Sequence, residues 1–128
     1  MKLKGLHHIA IICSDYERSK LFYTSVLGFE IIGEVYRTEK QSYKCDLSLN
    51  GDYLIELFSF PDPKPRPTQP EAMGLRHIAF SVYNINEAIK ELQKKQIIVE
   101  TFRVDKHSGK RFTFFRDPDD LPIELYEV

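Results

Sequence analysis

Long apolar runs are absent from this sequence, and so is an excess of one charge. No stretch approaches the roughly 18 consecutive apolar residues that a membrane-spanning helix needs. The opening segment, Met1–Gly5, contains no apolar signal core, so we expect a cytoplasmic protein. The 18 basic and 19 acidic residues give a net charge of −1, which provides no field to attract polyanions. We therefore expect no nucleic acid and no membrane among its partners.

Cysteine is scarce, and proline is concentrated in one place. The 2 cysteines, Cys13 and Cys45, lie in strand-like segments, where we expect buried reduced thiols rather than a disulfide or a nucleophile. Most of the 7 prolines fall within residues 61–70. Such a density excludes helix and strand pairing, because proline has no backbone N–H to donate. We interpret residues 61–73 as an extended linker.

The sequence repeats itself on the two sides of this linker. An opening strand that carries His8 is matched by one that carries His77, 69 residues later. A closing strand with Glu56 is matched by one with Glu124, 68 residues later. A chain of 128 residues is long enough for one hydrophobic core but too short for two independent ones. We therefore expect a single domain, 1–128, built from two similar modules.

Hydrophobic periodicity predicts the same order of elements in both modules: a strand, a helix and three further strands. In module one, about residues 5–60, the helix begins with a cap at Ser14 and ends at Gly28, and Asn50-Gly51 predicts a tight hairpin. The strands predicted there are Leu6–Cys13, Phe29–Tyr36, Tyr43–Leu49 and Tyr53–Phe60. The strands predicted in module two, about residues 74–128, are Leu75–Val82, Ile97–Val104, Arg111–Arg116 and Pro122–Glu127, with a helix that begins near Asn84.

Side-chain alternation indicates which sheet face carries the repeated histidines and glutamates. Apolar residues flank Glu56 and Glu124 in the closing strands, and the helices need an apolar face to cover, so both carboxylates should face away from the helices. The same alternation places His8 and His77 on that opposite, concave face. Carboxylates in an apolar lining need a cation, solvent or protons beside them. Two imidazoles and two carboxylates suit a first-row divalent metal such as Zn, Ni, Co, Mn or Fe.

Two other histidines stay outside this set. Alternation places His7 on the helix-facing side of the opening strand, and His107 lies in the polar loop Lys106–Lys110. A single strand histidine is more often a hydrogen-bonded structural residue than a metal ligand. The pairing of one histidine with one glutamate in each repeat is therefore the observation that indicates metal binding.

Motifs along almost the whole chain form a familiar set. They are His8-Ile-Ala-Ile-x-x-x-Asp15, Phe22-Tyr23-x-x-x-Leu27-Gly28-Phe29, Ile55-Glu56-Leu57, His77-Ile-Ala-Phe and Phe115-Arg-Asp-Pro-Asp-Asp-x-Pro-Ile-Glu124-Leu. The chain resembles the vicinal oxygen chelate superfamily, which includes glyoxalase I, extradiol dioxygenases, fosfomycin-resistance proteins and bleomycin resistance proteins. This resemblance implies an α+β fold in which two tandem βαβββ modules form a curved half-barrel sheet with helices on the convex side. It also implies a homodimer.

The resemblance is greatest to glyoxalase I, whose metal-ligand positions are matched by His8, Glu56, His77 and Glu124. It implies a divalent-metal-dependent lyase or isomerase, similar to lactoylglutathione lyase, that binds a small-molecule substrate. The implied reaction converts a 2-oxoaldehyde thiol adduct through an enediolate into a thioester of a 2-hydroxy acid. Glu124 matches the principal catalytic base and Glu56 its partner. A thiol transferase or Fe(II) dioxygenase of the same superfamily, and a non-catalytic binding protein, remain open as alternatives.

The sequence departs from the glyoxalase I pattern where that enzyme binds glutathione. Ile12 and Phe60 occupy the positions at which bacterial glyoxalase I carries an arginine and an asparagine that hold the tripeptide. We therefore expect a different thiol adduct. Its anchors could be basic loop residues such as Arg66, Lys110 and Arg111.

Overall fold

Each half of the chain folds into one helix and one four-stranded sheet, as the repeated pattern predicts. The computed structural model describes all residues from Met1 to Val128. They form two compact units, Met1–Pro65 and Arg66–Val128, which correspond to modules one and two. The boundary between the units falls inside the predicted linker, residues 61–73. That linker contains no helix and no strand.

Module one has the predicted order of elements. They are β1 (Ile9–Cys13), α1 (Tyr16–Leu21) with a π-helical continuation (Phe22–Val26), β2 (Glu30–Arg37), a 3₁₀ turn (Thr38–Lys40), β3 (Ser42–Leu49) and β4 (Asp52–Ser59). The sheet order is β1-β4-β3-β2. Strands β1 and β4 are parallel, and the other neighbours are antiparallel.

Module two repeats this arrangement with a shorter edge strand. Its elements are β5 (Ile78–Val82), α2 (Ile85–Lys94), β6 (Arg103–Val104), β7 (Arg111–Arg116) and β8 (Pro122–Glu127). The sheet order is β5-β8-β7-β6, again with a parallel pair, β5 and β8, and antiparallel pairs beyond it. The two modules together confirm the predicted α+β fold of tandem βαβββ units.

The parallel strand pairs have the same register in both modules. Ala10 of β1 lies opposite Glu56 of β4, and Ala79 of β5 lies opposite Glu124 of β8. Each alanine is two residues after the histidine of its repeat, which lies immediately before the strand. The sequence repeat therefore gives Glu56 and Glu124 equivalent positions in the two sheets.

The apolar side chains of the closing strands pack on the face opposite the glutamates. Ile55 and Leu57 are buried in module one, and Ile123 and Leu125 are buried in module two. Helix α1 contacts β4, and α2 contacts β7 and β8. The predicted division between a helix-covered face and a face with the glutamates is therefore confirmed. Cys13 and Cys45 form no disulfide, and both are buried, as predicted.

The predicted cap of the first helix was wrong by one residue, and the predicted hairpin turn was correct. The N-cap of α1 is Asp15, not Ser14, because Asp15 has an extended backbone and its Oδ1 accepts the N–H of Arg18 at 3.1 Å. The hairpin at Asn50-Gly51 is confirmed, with φ of 53° and 86° at its two residues.

The strand predicted at Ile97–Val104 is wrong for most of its length. Only Arg103–Val104 pairs with β7 as β6. Upstream, Glu100 makes two hydrogen bonds with β7: its N–H donates to the Phe114 carbonyl at 3.0 Å, and its carbonyl accepts the Thr113 hydroxyl at 2.7 Å. Ile98 is 92 % exposed, whereas Ile97 and Val99 are half-buried. No helix of the protein has the length and apolar character that a membrane span requires.

Candidate active site

In module one the structure brings His8 and Glu56 together. His8 comes immediately before β1, and Glu56 lies in the middle of β4. Their closest atoms, His8 Nε2 and Glu56 Oε1, are 3.8 Å apart. The Glu56 side chain is 16 % exposed, so its carboxylate is mostly removed from water. A mostly buried carboxylate needs charged or hydrogen-bonding neighbours, and module one provides several.

Two polar side chains of module one, Tyr53 and Lys44, contact both the Glu56 carboxylate and that of Asp46, its neighbour across the sheet. The Tyr53 hydroxyl is 3.1 Å from Glu56 Oε2 and 3.0 Å from Asp46 Oδ1. Lys44 Nζ lies 3.5 Å from Glu56 Oε2 and 3.1 Å from Asp46 Oδ1. Burial, followed by the hydrogen bonds to the two carboxylates, raises the pKa of Tyr53, which stays a neutral donor. The hydrogen bond to Asp46 raises the pKa of Lys44, which keeps its charge.

In module two His77 and Glu124 form the equivalent pair, and the contact is closer. His77 Nε2 is 3.1 Å from Glu124 Oε2, and the Glu124 side chain is 14 % exposed. The residue across the sheet from Glu124 is Phe114, at the position that Asp46 occupies opposite Glu56. The Phe114 ring meets the His77 ring edge-on, with centroids 5.2 Å apart. His77 is the only side chain that pairs with the Glu124 carboxylate.

The two modules therefore hold their glutamates differently. The positions of Lys44, Asp46 and Tyr53 in module one correspond, 68 residues later, to Phe112, Phe114 and Leu121. The equivalent sequence positions in module two thus carry apolar residues, and one of them, Phe114, lies directly across the sheet from Glu124. Sequence reasoning missed this difference, although the same 68-residue offset that aligns the glutamates also aligns these neighbours.

The second ring nitrogen of each histidine also has a partner. His8 Nδ1 is 2.8 Å from His7 Nδ1, and His77 Nδ1 is 3.1 Å from an Arg76 guanidinium nitrogen. The predicted helix-facing orientation of His7 was wrong: its ring is exposed beside His8, and its centroid is 5.4 Å from that of Tyr53. Strand alternation does not apply to His7 because β1 begins only at Ile9.

The donor chemistry of each pair fits a borderline divalent metal, because imidazole nitrogen and carboxylate oxygen are common ligands of such ions. Within the structure the donors come together in pairs: His8 with Glu56, and His77 with Glu124. No group of three or more histidine, cysteine, aspartate or glutamate side chains forms a cluster that could hold an ion. The four-ligand centre therefore stays a prediction.

The positions that differ from glyoxalase I are apolar in the structure. Ile12 is 56 % exposed and lies opposite Phe58 across the β1–β4 pair. Phe60 stacks on Phe58 with centroids 5.7 Å apart, and the Arg37 guanidinium covers both rings. The side chains of Ile12 and Phe60 therefore cannot form a hydrogen bond with glutathione.

The three basic residues considered as anchors have different surroundings. Arg111 is held by Glu127 through two contacts of 2.9 and 2.6 Å, so its charge is already balanced. The same carboxylate also accepts the N–H of Ile85 at the start of α2. Lys110 lies exposed in its loop. Arg66 lines a cavity of module two.

Comparison with known proteins confirms the resemblance. The model of the Glyoxalase/Bleomycin resistance protein/Dioxygenase superfamily matches residues 5–125. The uncharacterized protein YwkD of Bacillus subtilis (strain 168) is 64 % identical over 127 residues, which cover 99 % of each chain. The crystal structure of the glyoxalase family protein from Enterococcus faecalis has a TM-score of 0.91 at 47 % identity, and the match covers 99 % of this chain and 100 % of that one. The glyoxalase-like fold is thereby confirmed.

Relatives with a named activity are more distant. Human mitochondrial methylmalonyl-CoA epimerase is 31 % identical over 124 residues, which cover 91 % of this chain and 69 % of the epimerase. Lactoylglutathione lyase of Schizosaccharomyces pombe is 28 % identical over 148 residues, which cover 98 % of this chain and 48 % of the lyase. These matches, the family model and the shared fold all lead to one assignment. The chain belongs to the Glyoxalase/Bleomycin resistance protein/Dioxygenase superfamily.

Proposed function

We propose that this protein is a divalent-metal-dependent lyase or isomerase of the glyoxalase I type, acting on a 2-oxoaldehyde thiol adduct. The observation that carries the proposal is the repeated pair of a histidine and a mostly buried glutamate, at the same register in both modules. Members of this superfamily are usually enzymes, and the relatives with named activities include a lyase and an epimerase. We retain the expected homodimer and cytoplasmic location as part of the proposal.

His8, Glu56, His77 and Glu124 would hold the metal, as the resemblance to glyoxalase I implies. Zn, Ni and Co suit this donor set, and Mn and Fe are alternatives. Such an ion would supply Lewis-acid chemistry: it would polarise a substrate carbonyl and stabilise the negative charge left when the neighbouring carbon loses its proton. The protein then has to move that proton with one of its own carboxylates.

We assign the proton transfer to Glu124, with Glu56 in the partner role. Glu124 is held only by His77, and its other neighbours include the ring of Phe114. Its Oε atoms can therefore take a proton from one carbon and deliver it to the next at the cost of one polar contact. Glu56 would have to leave both the Tyr53 hydroxyl and Lys44 to do the same. The contrast between the two carboxylates supports a mobile Glu124 and a fixed Glu56.

The carrier thiol is not expected to be glutathione. Ile12 and Phe60 present apolar surface where bacterial glyoxalase I is expected to bind the tripeptide. Losing one hydrogen bond to a charged partner weakens the free energy of binding by about 1.5–3 kcal/mol, and losing one to a neutral partner weakens it by about 1 kcal/mol. The glutathione adduct of methylglyoxal should therefore bind weakly.

An epimerase of an acyl thioester is the second candidate. The human relative with that name is more similar to this chain than the yeast lyase, and the match covers a larger share of its length. Epimerisation needs the same first step, removal of a proton from the carbon beside a carbonyl group. It differs in returning the proton to the same carbon.

The test is a panel of substrates given to the metal-reconstituted protein in D₂O, with deuterium incorporation and product followed by NMR. The panel contains the methylglyoxal adducts of glutathione and coenzyme A, and methylmalonyl-CoA. We expect turnover of a non-glutathione substrate, and a loss of about 10²- to 10⁴-fold in kcat/KM in Glu124→Gln, the usual contribution of a general base. Glu91→Gln, on the exposed side of α2, is the matched control.

Two results would count against the proposal. Glu124→Gln with the kcat/KM of the parent would remove Glu124 as the base. Tight binding of these compounds by both the parent and Glu124→Gln, without any turnover, would instead favour a non-catalytic binding protein.

A further inference from the structure

Module two contains a cavity whose walls are rich in arginine. Its volume is about 150 Å³, and Arg66, Arg76, Arg103 and Arg116 all line it. These four residues define what we call the arginine pocket. Water in the liquid takes up about 30 Å³ per molecule, so the cavity has room for about five water-sized groups. That is the size of one phosphate or of one hydrated carboxylate group.

The positive charge of the arginine pocket is only partly balanced. Arg116 pairs with Asp120 at 3.1 Å. Two glutamates share the lining: Glu71 pairs with Arg76 at 2.7 Å, and Glu100 pairs with Arg103 at 3.2 Å. Both ion pairs are more than half exposed, so each is weak. Three of the four guanidinium groups thus have a carboxylate partner and Arg66 has none, which leaves an excess of one positive charge at the cavity.

Arg66 carries the charge that no carboxylate neutralises. Its Nε donates to Thr68 Oγ1 at 2.8 Å, and a terminal nitrogen donates to the Leu75 carbonyl at 2.8 Å. Both acceptors are neutral. Thr68 is buried, and its hydroxyl donates in turn to the Asp120 carbonyl at 2.9 Å. Arg66 is therefore fixed in place with its charge available, which lowers the entropy cost of binding an anion.

A second arginine of the pocket is oriented by aromatic rings. The Arg103 guanidinium lies 5.0 Å from the ring centroid of Phe112 and 5.5 Å from that of Phe114. Such stacking leaves the in-plane N–H groups of a guanidinium available to an oxyanion. The arginine pocket therefore offers two guanidinium groups with defined partners, Arg66 and Arg103.

The pocket adjoins the histidine–glutamate pair of module two. Arg76 lines it and is hydrogen-bonded to His77 Nδ1 at 3.1 Å. Phe114 also lines it and contacts the His77 ring. A group bound in the arginine pocket would thus contact Arg76, the residue next to the proposed metal ligand His77.

We propose that the arginine pocket binds a single oxyanion group, a phosphate or a carboxylate. Resting on the proposed function, the group would belong to the carrier or acyl part of the substrate, so that the preferred substrate is an anionic thioester or thiol adduct. Guanidinium groups suit this ligand because their paired N–H groups match two oxygens of one oxyanion. Free phosphate and a substrate-borne group share this chemistry, and the experiment separates them.

The first arm is an NMR titration of the purified full-length protein at constant ionic strength, with inorganic phosphate and, separately, acetate as probes. The arginine Nε–H resonances report binding at the pocket itself. We expect a saturable shift of the Arg66 resonance, and a loss of affinity of about tenfold or more in Arg66→Gln, the usual size for one charged hydrogen-bond partner. Arg18→Gln, which removes the same charge from an exposed position of α1, should leave the affinity unchanged.

Glu100→Gln provides a test that does not depend on keeping Arg66 in place. Removing the carboxylate that competes for Arg103 should tighten phosphate binding about two- to fivefold, the size of an exposed ion pair. Equal losses in Arg66→Gln and Arg18→Gln would overturn the proposal, since they would indicate diffuse attraction. So would an unchanged or weaker affinity in Glu100→Gln, or a titration without saturation.

The second arm asks whether the anion is part of the substrate. In Arg66→Gln the KM for an anion-bearing substrate should rise about tenfold with kcat unchanged, and inorganic phosphate should compete with that substrate in the parent protein. Phosphate binding without such an effect on KM would overturn the substrate role and leave an inorganic phosphate site. If no substrate turns over at all, the proposed function fails while the titration still decides the pocket.

Discussion

Tyr53 provides a direct test of how module one fixes its glutamate. Tyr53→Phe removes a hydroxyl that lies 3.1 Å from Glu56 Oε2 and 3.0 Å from Asp46 Oδ1. A phenol has one proton, so it donates to one of the two carboxylates at a time. The substitution therefore removes one hydrogen bond to a charged acceptor and leaves the ring in place.

The expected magnitude follows from the surroundings of Tyr53. A hydrogen bond to a charged group contributes about 1.5–3 kcal/mol. Tyr53 is half-buried, and Lys44 remains 3.5 Å from Glu56 after the substitution, so we expect the lower end of this range. Removing a group that holds a metal ligand usually reduces metal affinity 10- to 100-fold. We expect Tyr53→Phe to bind the metal about tenfold more weakly than the parent, which corresponds to about 1.4 kcal/mol.

The assay is competition with a chromophoric chelator, using parent, Tyr53→Phe and Tyr83→Phe proteins loaded with the same divalent metal. Tyr83 is 92 % exposed and serves as the matched control. Denaturant unfolding of the metal-free proteins measures any change in the fold itself. If Tyr53→Phe and Tyr83→Phe bind the metal as tightly as the parent, Tyr53 does not hold Glu56 for metal binding and the reasoning is refuted.

Two further predictions concern the fold. Leu57→Ala removes a fully buried side chain of module one, and we expect it to lower the free energy of unfolding by about 2–5 kcal/mol in urea titrations. A loss below about 1 kcal/mol would mean that this face is not a packed core. The hydrogen bond from Arg111 holds the pKa of Glu127 below its ordinary value, so its contribution to stability is present above the unfolded-state pKa and is lost as pH falls through the lowered folded-state pKa. Glu127→Gln should be less stable than the parent at pH 7 and should lose less stability on acidification from about pH 5 to 3; parallel pH profiles of the two proteins would contradict this.

The positions of the paired residues could be predicted because alternation and internal repetition agree. Ile55 and Leu57 mark the face that the helix covers, and this marks Glu56 as facing the other way. The repeat then places His77 and Glu124 by analogy. Strands β7 and β8 have the predicted bounds because turn residues separate them clearly from their neighbours.

The features that could not be predicted from the sequence depend on contacts between residues that are distant in the chain. The strand at Ile97–Val104 was predicted from apolar residues, but pairing with β7 is limited to Arg103–Val104, and composition does not reveal which residues find a partner. His7 was misplaced because strand periodicity was extended beyond the start of β1. The polar residues around Glu56 carry no recognisable spacing, since Lys44 and Tyr53 belong to different strands.

The arginine pocket shows the same limit. Arg66 lies in the proline-rich segment and Arg116 at the end of β7, so only the folded structure shows that they line one cavity. The comparison of the modules was available from the sequence in principle. A residue-by-residue alignment at the 68-residue offset would have shown Phe112 and Phe114 in place of Lys44 and Asp46.

The central claim is that the repeated histidine–glutamate pairs bind a divalent metal. Elemental analysis of the purified parent protein, His77→Ala, His8→Ala and the exposed-residue control His107→Ala tests it most directly. The account predicts a similar metal content in the parent and His107→Ala, about one ion per chain, and a loss of most of that metal in His8→Ala and in His77→Ala. A metal content in His77→Ala equal to that of the parent, in protein that remains folded by circular dichroism, would contradict the account.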